Sequence, residues 1–168
     1  MRLLIYFLGL SFFFGCSDKK IDKQKRESIA LENIVYLRTE GLMLLEKLVD
    51  HCPTKNDCMI GMKIMHFYSD TQPSLIGLCE NKELNLSMST YHEITSEVER
   101  LIQDSSSYYE FLLEKLLTNL HNQKSFYLQV LEDQELSNLH YYTLDSYLQM
   151  VCFIEDYKHL LANNYVAQ

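Results

Sequence analysis

The chain predicts an all-α fold, an irregular antiparallel bundle of three long helices and one or two short ones, stapled by disulfides. Three observations lead there. Apolar residues recur at three- and four-residue spacing through most of residues 27–162. No segment keeps the apolar–polar alternation of a half-buried strand. The 168 residues include only five Gly and two Pro, too few for the many turns of an all-β fold.

The first helix is expected from about Glu27, with Ile34, Leu37, Leu44, Leu45, Leu48 and Val49 on its inner face and Glu32, Arg38, Glu46 and Lys47 between them. Gly41 falls inside it, and Pro53 should stop it because proline has no N–H to donate. The polar segment Cys52-Pro-Thr-Lys-Asn-Asp-Cys58 reads as a tight connection. Asp57 can cap a short second helix over residues 58–68, whose Met59, Met62 and Met65 are expected in the core. Residues 69–74, with Pro73, read as a loop, and 74–88, with apolar Leu75-Ile-Gly-Leu-Cys79, as either a helical turn or an irregular packed segment.

From Ser89 the pattern is helical to the end. Thr90 and Glu93 fit a capping box. Ile94, Val98, Leu101, Tyr108, Leu112, Leu116 and Leu120 form a stripe. The run Ser105-Ser106-Ser107 can kink this helix, and His121-Asn122-Gln123-Lys124 can end it. A shorter piece follows over 125–134. The last helix is expected over 137–162, with Leu144, Tyr147, Leu148, Val151, Ile154 and Leu161 inward.

Residues 1–16 have a different character. Met1-Arg2 is a minimal positive start, and residues 3–14 are almost entirely apolar, too few to span a bilayer, which takes about 20. The run ends in Phe13-Phe14-Gly15-Cys16, followed by polar Ser17-Asp18-Lys19-Lys20. This resembles the bacterial lipoprotein signal, in which a small residue precedes the lipidated cysteine. Phe13 and Phe14 stand where that pattern usually has leucine and a small residue. The resemblance covers residues 1–18 and implies a signal peptide over 1–15, acylation (palmitate) at Cys16, and export. Ser17, rather than Asp, after the cysteine implies the outer membrane, facing the periplasm. The expected organisation is therefore signal peptide 1–15, lipidated cysteine and basic tether 16–26, and one helical domain over 27–168.

Charge is unevenly spread. Residues 17–26 carry five basic and two acidic groups, whereas 27–168 carry nine basic against twenty-one acidic, a net of −12. A domain that acidic repels phosphates, which argues against nucleic acid as a partner. The basic stretch can rest on anionic headgroups or serve as a solvated linker.

With Cys16 lipidated, Cys52, Cys58, Cys79 and Cys152 remain, an even number that suggests two disulfides in an exported domain. Of the three pairings, the favoured one joins Cys52 to Cys58 across the first turn and Cys79 to Cys152 across a long loop. Closing that loop is worth about 4 kcal/mol in the chain-entropy view.

Candidate chemistry is sparse. Cys152, Asp156 and His159 fall at i, i+4 and i+7 on one helix face, short of the three or four ligands of a zinc site once Cys152 is taken by a disulfide. Asp156 and His159 have the spacing of one half of a di-iron motif, and no second copy occurs. His92-Glu93 begins like a zincin helix, but Ser stands at 96. There is no haem-attachment motif, Gly-rich phosphate loop or Gly-x-Ser-x-Gly elbow. No catalytic residue, metal ligand or cofactor is assigned. The doublets Tyr108-Tyr109 and Tyr141-Tyr142 should each leave a ring partly exposed, which suits protein recognition, although any one of these tyrosines is more simply read as an amphipathic side chain at the core edge. The expected function is non-enzymatic: an envelope lipoprotein that binds another protein, in an immunity- or inhibitor-type role, or alternatively as a pilotin-like escort of an envelope machine, with a hydrolase or metal-dependent enzyme ranked behind both.

Overall fold

The computed structural model describes residues 2–52, 55–85 and 108–166, with side chains described for 21–52, 55, 58–85 and 108–159. Four helices make up this part of the chain: α1 (Arg2–His51), α2 (Lys55–Cys79), α3 (Tyr108–Glu132) and α4 (His140–Val166), with a 3-10 segment, Gln134–Leu139, before α4. No strand occurs among the described residues.

The helices form a ring in which α1 packs on α2 and α3, and α4 closes it by packing on the same two. The pairings show every neighbouring pair to be antiparallel. Arg38 meets Thr71 while Gly61 lies against Leu48 across α1 and α2. Leu37 meets Asn119 and His51 meets Tyr108 across α1 and α3. Lys63 meets Asp156 and Phe67 meets Phe153 across α2 and α4. Short links from α1 to α2 and from α3 to α4 impose this direction, since a few residues cannot carry the chain back to a parallel start.

The core is the inner face of each helix: Leu31, Ile34, Leu45 and Leu48 from α1, Ile60 and Ile64 from α2, Leu112, Leu113 and Leu116 from α3, and Met150, Phe153 and Ile154 from α4. Each such side chain contributes about 1.5–3 kcal/mol of burial. Gly61 lets α1 and α2 approach closely, because a Cβ there would sit 3.2 Å from both Leu48 Cδ2 and Val49 Cγ2.

Several elements differ from the sequence reading. α1 has 50 residues, about 75 Å at 1.5 Å per residue, and runs unbroken through the expected tether. No Gly or Pro interrupts residues 17–26, and Lys, Arg and Gln are good helix formers. Arg26, at the end of that stretch, is docked on the domain through Asp133 at 2.6 Å and Glu135 at 2.7 Å.

α2 starts at Lys55 and continues through the expected loop, with Pro73 inside it. Pro73 cannot donate to the Ser69 carbonyl. The carbonyls just before are taken by side chains: Thr71 Oγ1 donates to Phe67 O at 2.7 Å and Arg38 Nη2 to Tyr68 O at 2.7 Å. α2 ends where Asn81 adopts φ 62°, a left-handed cap that asparagine tolerates. α3 passes straight through His121-Asn122-Gln123-Lys124, because Gln123 is a buried, bonded residue and not a breaker.

Of the Met stripe, Met65 alone packs, partly buried, against the core. Met59 and Met62 are about half exposed, and Ile60, Ile64 and Tyr68 take the inner face instead. On α4, Ile154 is buried and Tyr147 packs partly buried on the core as expected, but Leu144 and Leu148 point outward, with Tyr142, Thr143, Ser146 and Met150 inside. The inner face is thus displaced by one residue, about 100° around the helix. The capping box at Thr90 and Glu93, the stripe residues 94–101 and the serine run 105–107 lie outside the described residues.

Of the two expected disulfides, Cys52–Cys58 is present, with Cα atoms 5.6 Å apart. Cys79 and Cys152 are free thiols. Cys79 sits at the end of α2 facing α1, whereas Cys152 lies on the solvent side of α4, so the two side chains diverge. Burial also pushes the Cys79 thiol pKa up, which lowers its thiolate fraction. Cys152 should therefore be alkylated at least about tenfold faster than Cys79, and Cys52 and Cys58 only after reduction. Peptide mapping of timed iodoacetamide reactions on the native protein checks this; equal rates at the two thiols would contradict the placement.

Candidate functional site

Two features stand out, and one produces the other. The first is a polar centre inside the bundle. Arg38 of α1 is 2% exposed and is one of the largest fully buried side chains among the described residues. Its Nη1 donates to Thr71 Oγ1 and to the Tyr142 hydroxyl, both at 2.8 Å. Its Nη2 donates to Tyr68 O at 2.7 Å and to Gln72 Oε1 at 3.4 Å. The guanidinium carbon lies 4.6 Å from the centroid of the Tyr68 ring, a cation–π contact. Nε is buried and has no partner.

α3 supplies the other half. Gln123 Nε2 donates to the Tyr68 hydroxyl at 2.5 Å and to Asn119 Oδ1 at 2.6 Å. The Tyr127 hydroxyl donates to Gln123 Oε1 at 3.3 Å. Asn119 Nδ2 donates to Leu37 O at 3.0 Å and to Glu40 Oε2 at 2.6 Å. Gly41 lies directly beneath. A Cβ there would be 2.8 Å from Asn119 Oδ1, 2.9 Å from the Tyr68 hydroxyl and 3.2 Å from Gln123 Nε2. Only a glycine lets this network close against α1.

Burial controls the tyrosines. It pushes Tyr68 up to about 12, against a pull downward from the Gln123 hydrogen bond and the Arg38 charge. Burial raises Tyr127 and Tyr142 as well, with Arg38 opposing. All three phenols are therefore neutral at physiological pH.

The second feature is an outer ridge on α4. Tyr141 is 90% exposed, Leu144 49% and Leu148 54%, at i, i+3 and i+7 on one side of the helix. Asp145, Cys152 and Glu155 are exposed on the same helix. Tyr142, the other half of the doublet, is buried on Arg38.

The remaining expected residues are dispersed. Cys16 lies within α1, upstream of the described side chains. Asp156 pairs with Lys63 at 3.2 Å, and His159 and Cys152 are exposed. Among the described residues, no group of three or more His, Cys, Asp or Glu is placed to hold a metal ion, and no helix is long and apolar enough to cross a membrane. His92 and Glu93 lie outside the described residues.

Arg38, Asn119 and Gln123 were not identified from the sequence. Their signal was positional: Arg38 follows core Ile34 by four residues, and Gln123 follows Asn119 by four. Polar residue types at those positions pointed to solvent. Compared with known proteins, the chain matches no family model, no curated protein and no solved structure.

Two outcomes test the network. Gly41→Ala should destabilise by about 1–3 kcal/mol through overpacking, although alanine is the better helix former by about 1 kcal/mol. Urea unfolding measures it, and a gain in stability would contradict the packing. The raised phenol of Tyr68 gives an alkaline signature. Below the ordinary value of 10, Tyr68 is neutral in both states; above it the unfolded chain ionises first, so stability falls until about pH 12. Tyr68 alone should account for roughly 3 kcal/mol of that loss. Tyr68→Phe should lose correspondingly less between about pH 9 and 12 by thermal melts, while an unchanged slope would count against a buried neutral phenol.

Proposed function

We propose that this protein is a lipid-anchored component of the bacterial cell envelope that binds a basic protein, in an immunity- or inhibitor-type role. The observation that carries the binding part is the α4 ridge. Tyr141, Leu144 and Leu148 are large apolar groups held outward together on a rigid helix. Rigid aromatic and aliphatic anchors supply much of the affinity at protein interfaces. The acidic groups beside them, Asp145 and Glu155, and the net −12 of residues 27–168 choose a basic partner and speed its approach.

The leader supports the anchoring part. Acylation at Cys16 would leave a short stretch of α1 between lipid and bundle, about 16 Å for the eleven residues to Glu27. That stretch is a helix docked through Arg26, so it acts as a stiff stalk holding the domain close to the bilayer. The basic groups of 17–26 favour an anionic surface.

A photo-crosslinking residue at position 141 in the full-length protein, expressed in its own cells, tests the reading. The expected result is one covalent adduct with a basic protein, abolished by Leu148→Glu without a change in melting temperature. Cells lacking this protein should then be poisoned by that partner. A partner that is harmless to the deletion strain would rule out the inhibitor role, and no adduct from 141 would rule out the ridge. In the same cells, Cys16→Ser should release the protein from the membrane fraction; retention would remove the lipid anchor.

A further inference from the structure

Arg38 poses a charge problem that the described residues do not solve. Among the described residues no carboxylate lies within ion-pair distance of it. Its partners are two hydroxyls, a backbone carbonyl and an amide oxygen, all neutral. Glu40 joins the network only at the far end, through Asn119. The phenols near it stay protonated, so no phenolate compensates. A buried cation without a counter-ion is costly.

The guanidinium also keeps donor capacity. A carboxylate binds two neighbouring N–H groups along one edge of an arginine. Nε has no partner, and Nη2 next to it, besides its 2.7 Å bond to Tyr68 O, holds Gln72 Oε1 only at 3.4 Å. Gln72 is exposed, so its side chain can swing away.

Arg38 also lines a cavity of about 240 Å³ between α1, α2 and Leu84. The rest of its wall is mainly apolar: Val35, Leu42, Leu75 and Ile76. Its volume is below the roughly 300–1,000 Å³ of drug-sized sites, which restricts the occupant to a small molecule. Ile76 and Gln72 are exposed and border its opening.

We propose that this cavity binds a short-chain aliphatic carboxylic acid, with the carboxylate on the Nε and Nη2 edge of Arg38 and the hydrocarbon against Val35, Leu42, Leu75 and Ile76. The acid supplies the missing counter-charge and displaces the weak Gln72 contact. Its tail fills apolar space that a free inorganic anion would leave empty.

Calorimetric titration of the full-length protein in a non-ionic detergent, with hexanoate as the probe, tests this. Hexanoate should bind and raise the melting temperature. Hexanamide, which lacks the charge, and acetate, which lacks the tail, should each bind at least about tenfold more weakly. Ile76→Trp fills the cavity from its exposed side and leaves the Arg38 bonds in place. It should weaken hexanoate at least about tenfold while the ligand-free melting temperature stays unchanged. Arg38→Met should also lose binding, but it can lose the fold as well, so Ile76→Trp is the deciding variant. Equal binding of hexanamide and hexanoate, equal binding of acetate, unchanged affinity in Ile76→Trp, or no binding of hexanoate at about 10 mM would each overturn the proposal.

Discussion

Everything inside the bundle is arranged around one buried cation. Arg38 projects from α1 into the space where the four helices face one another, and it bonds α2 at Thr71 and Tyr68 and α4 at Tyr142. Asn119 and Gln123 bring α3 to the same point, onto Tyr68 and the backbone of α1. A purely apolar core tolerates sliding and rotation, because one methyl contact substitutes for another. Directional hydrogen bonds do not, and an unmade one costs about 1–3 kcal/mol when buried. The centre therefore sets axial register and rotation for each helix at once.

Several local oddities follow from that requirement. Gly41 sits mid-helix because the Asn119, Tyr68 and Gln123 side chains occupy the place of a Cβ. α2 accommodates Pro73 where Thr71 and Arg38 engage the carbonyls of the preceding turn. The polar run at 121–124 does not end α3, because one of its four residues, Gln123, is turned into the centre and bonded there.

The outer surface is a consequence of the same centre. Tyr142 must face Arg38, and Thr143 and Ser146 follow it inward, where Thr143 Oγ1 bonds the Leu139 carbonyl at 2.8 Å. Once those residues are inside, the helix period places Tyr141, Leu144 and Leu148 outside. The apolar ridge that could receive a partner thus arises from rotation of α4, imposed from within. The arginine that imposes it also borders the cavity between α1 and α2.

What the sequence determined by itself was whatever depends on local pattern. The all-α class, the buried Ile34, Leu44, Leu45 and Leu48 of α1, the buried stripe Tyr108, Leu112, Leu116 and Leu120 and the Cys52–Cys58 staple all rest on neighbours a few residues apart. Which residues lie at the centre was decided only by the tertiary structure. Arg38 is buried because partners 30 to 104 positions away take up its Nη1 and Nη2 donors. Leu144 and Leu148 are exposed because Tyr142, bonded to Arg38, turns the opposite face of α4 inward. Cys79 and Cys152 stay apart because their helices present them to different sides. Hydrophobicity is a property of each residue and can be read along the chain. Hydrogen-bond satisfaction belongs to pairs brought together by folding, and here it outweighed hydrophobicity at the positions that matter most.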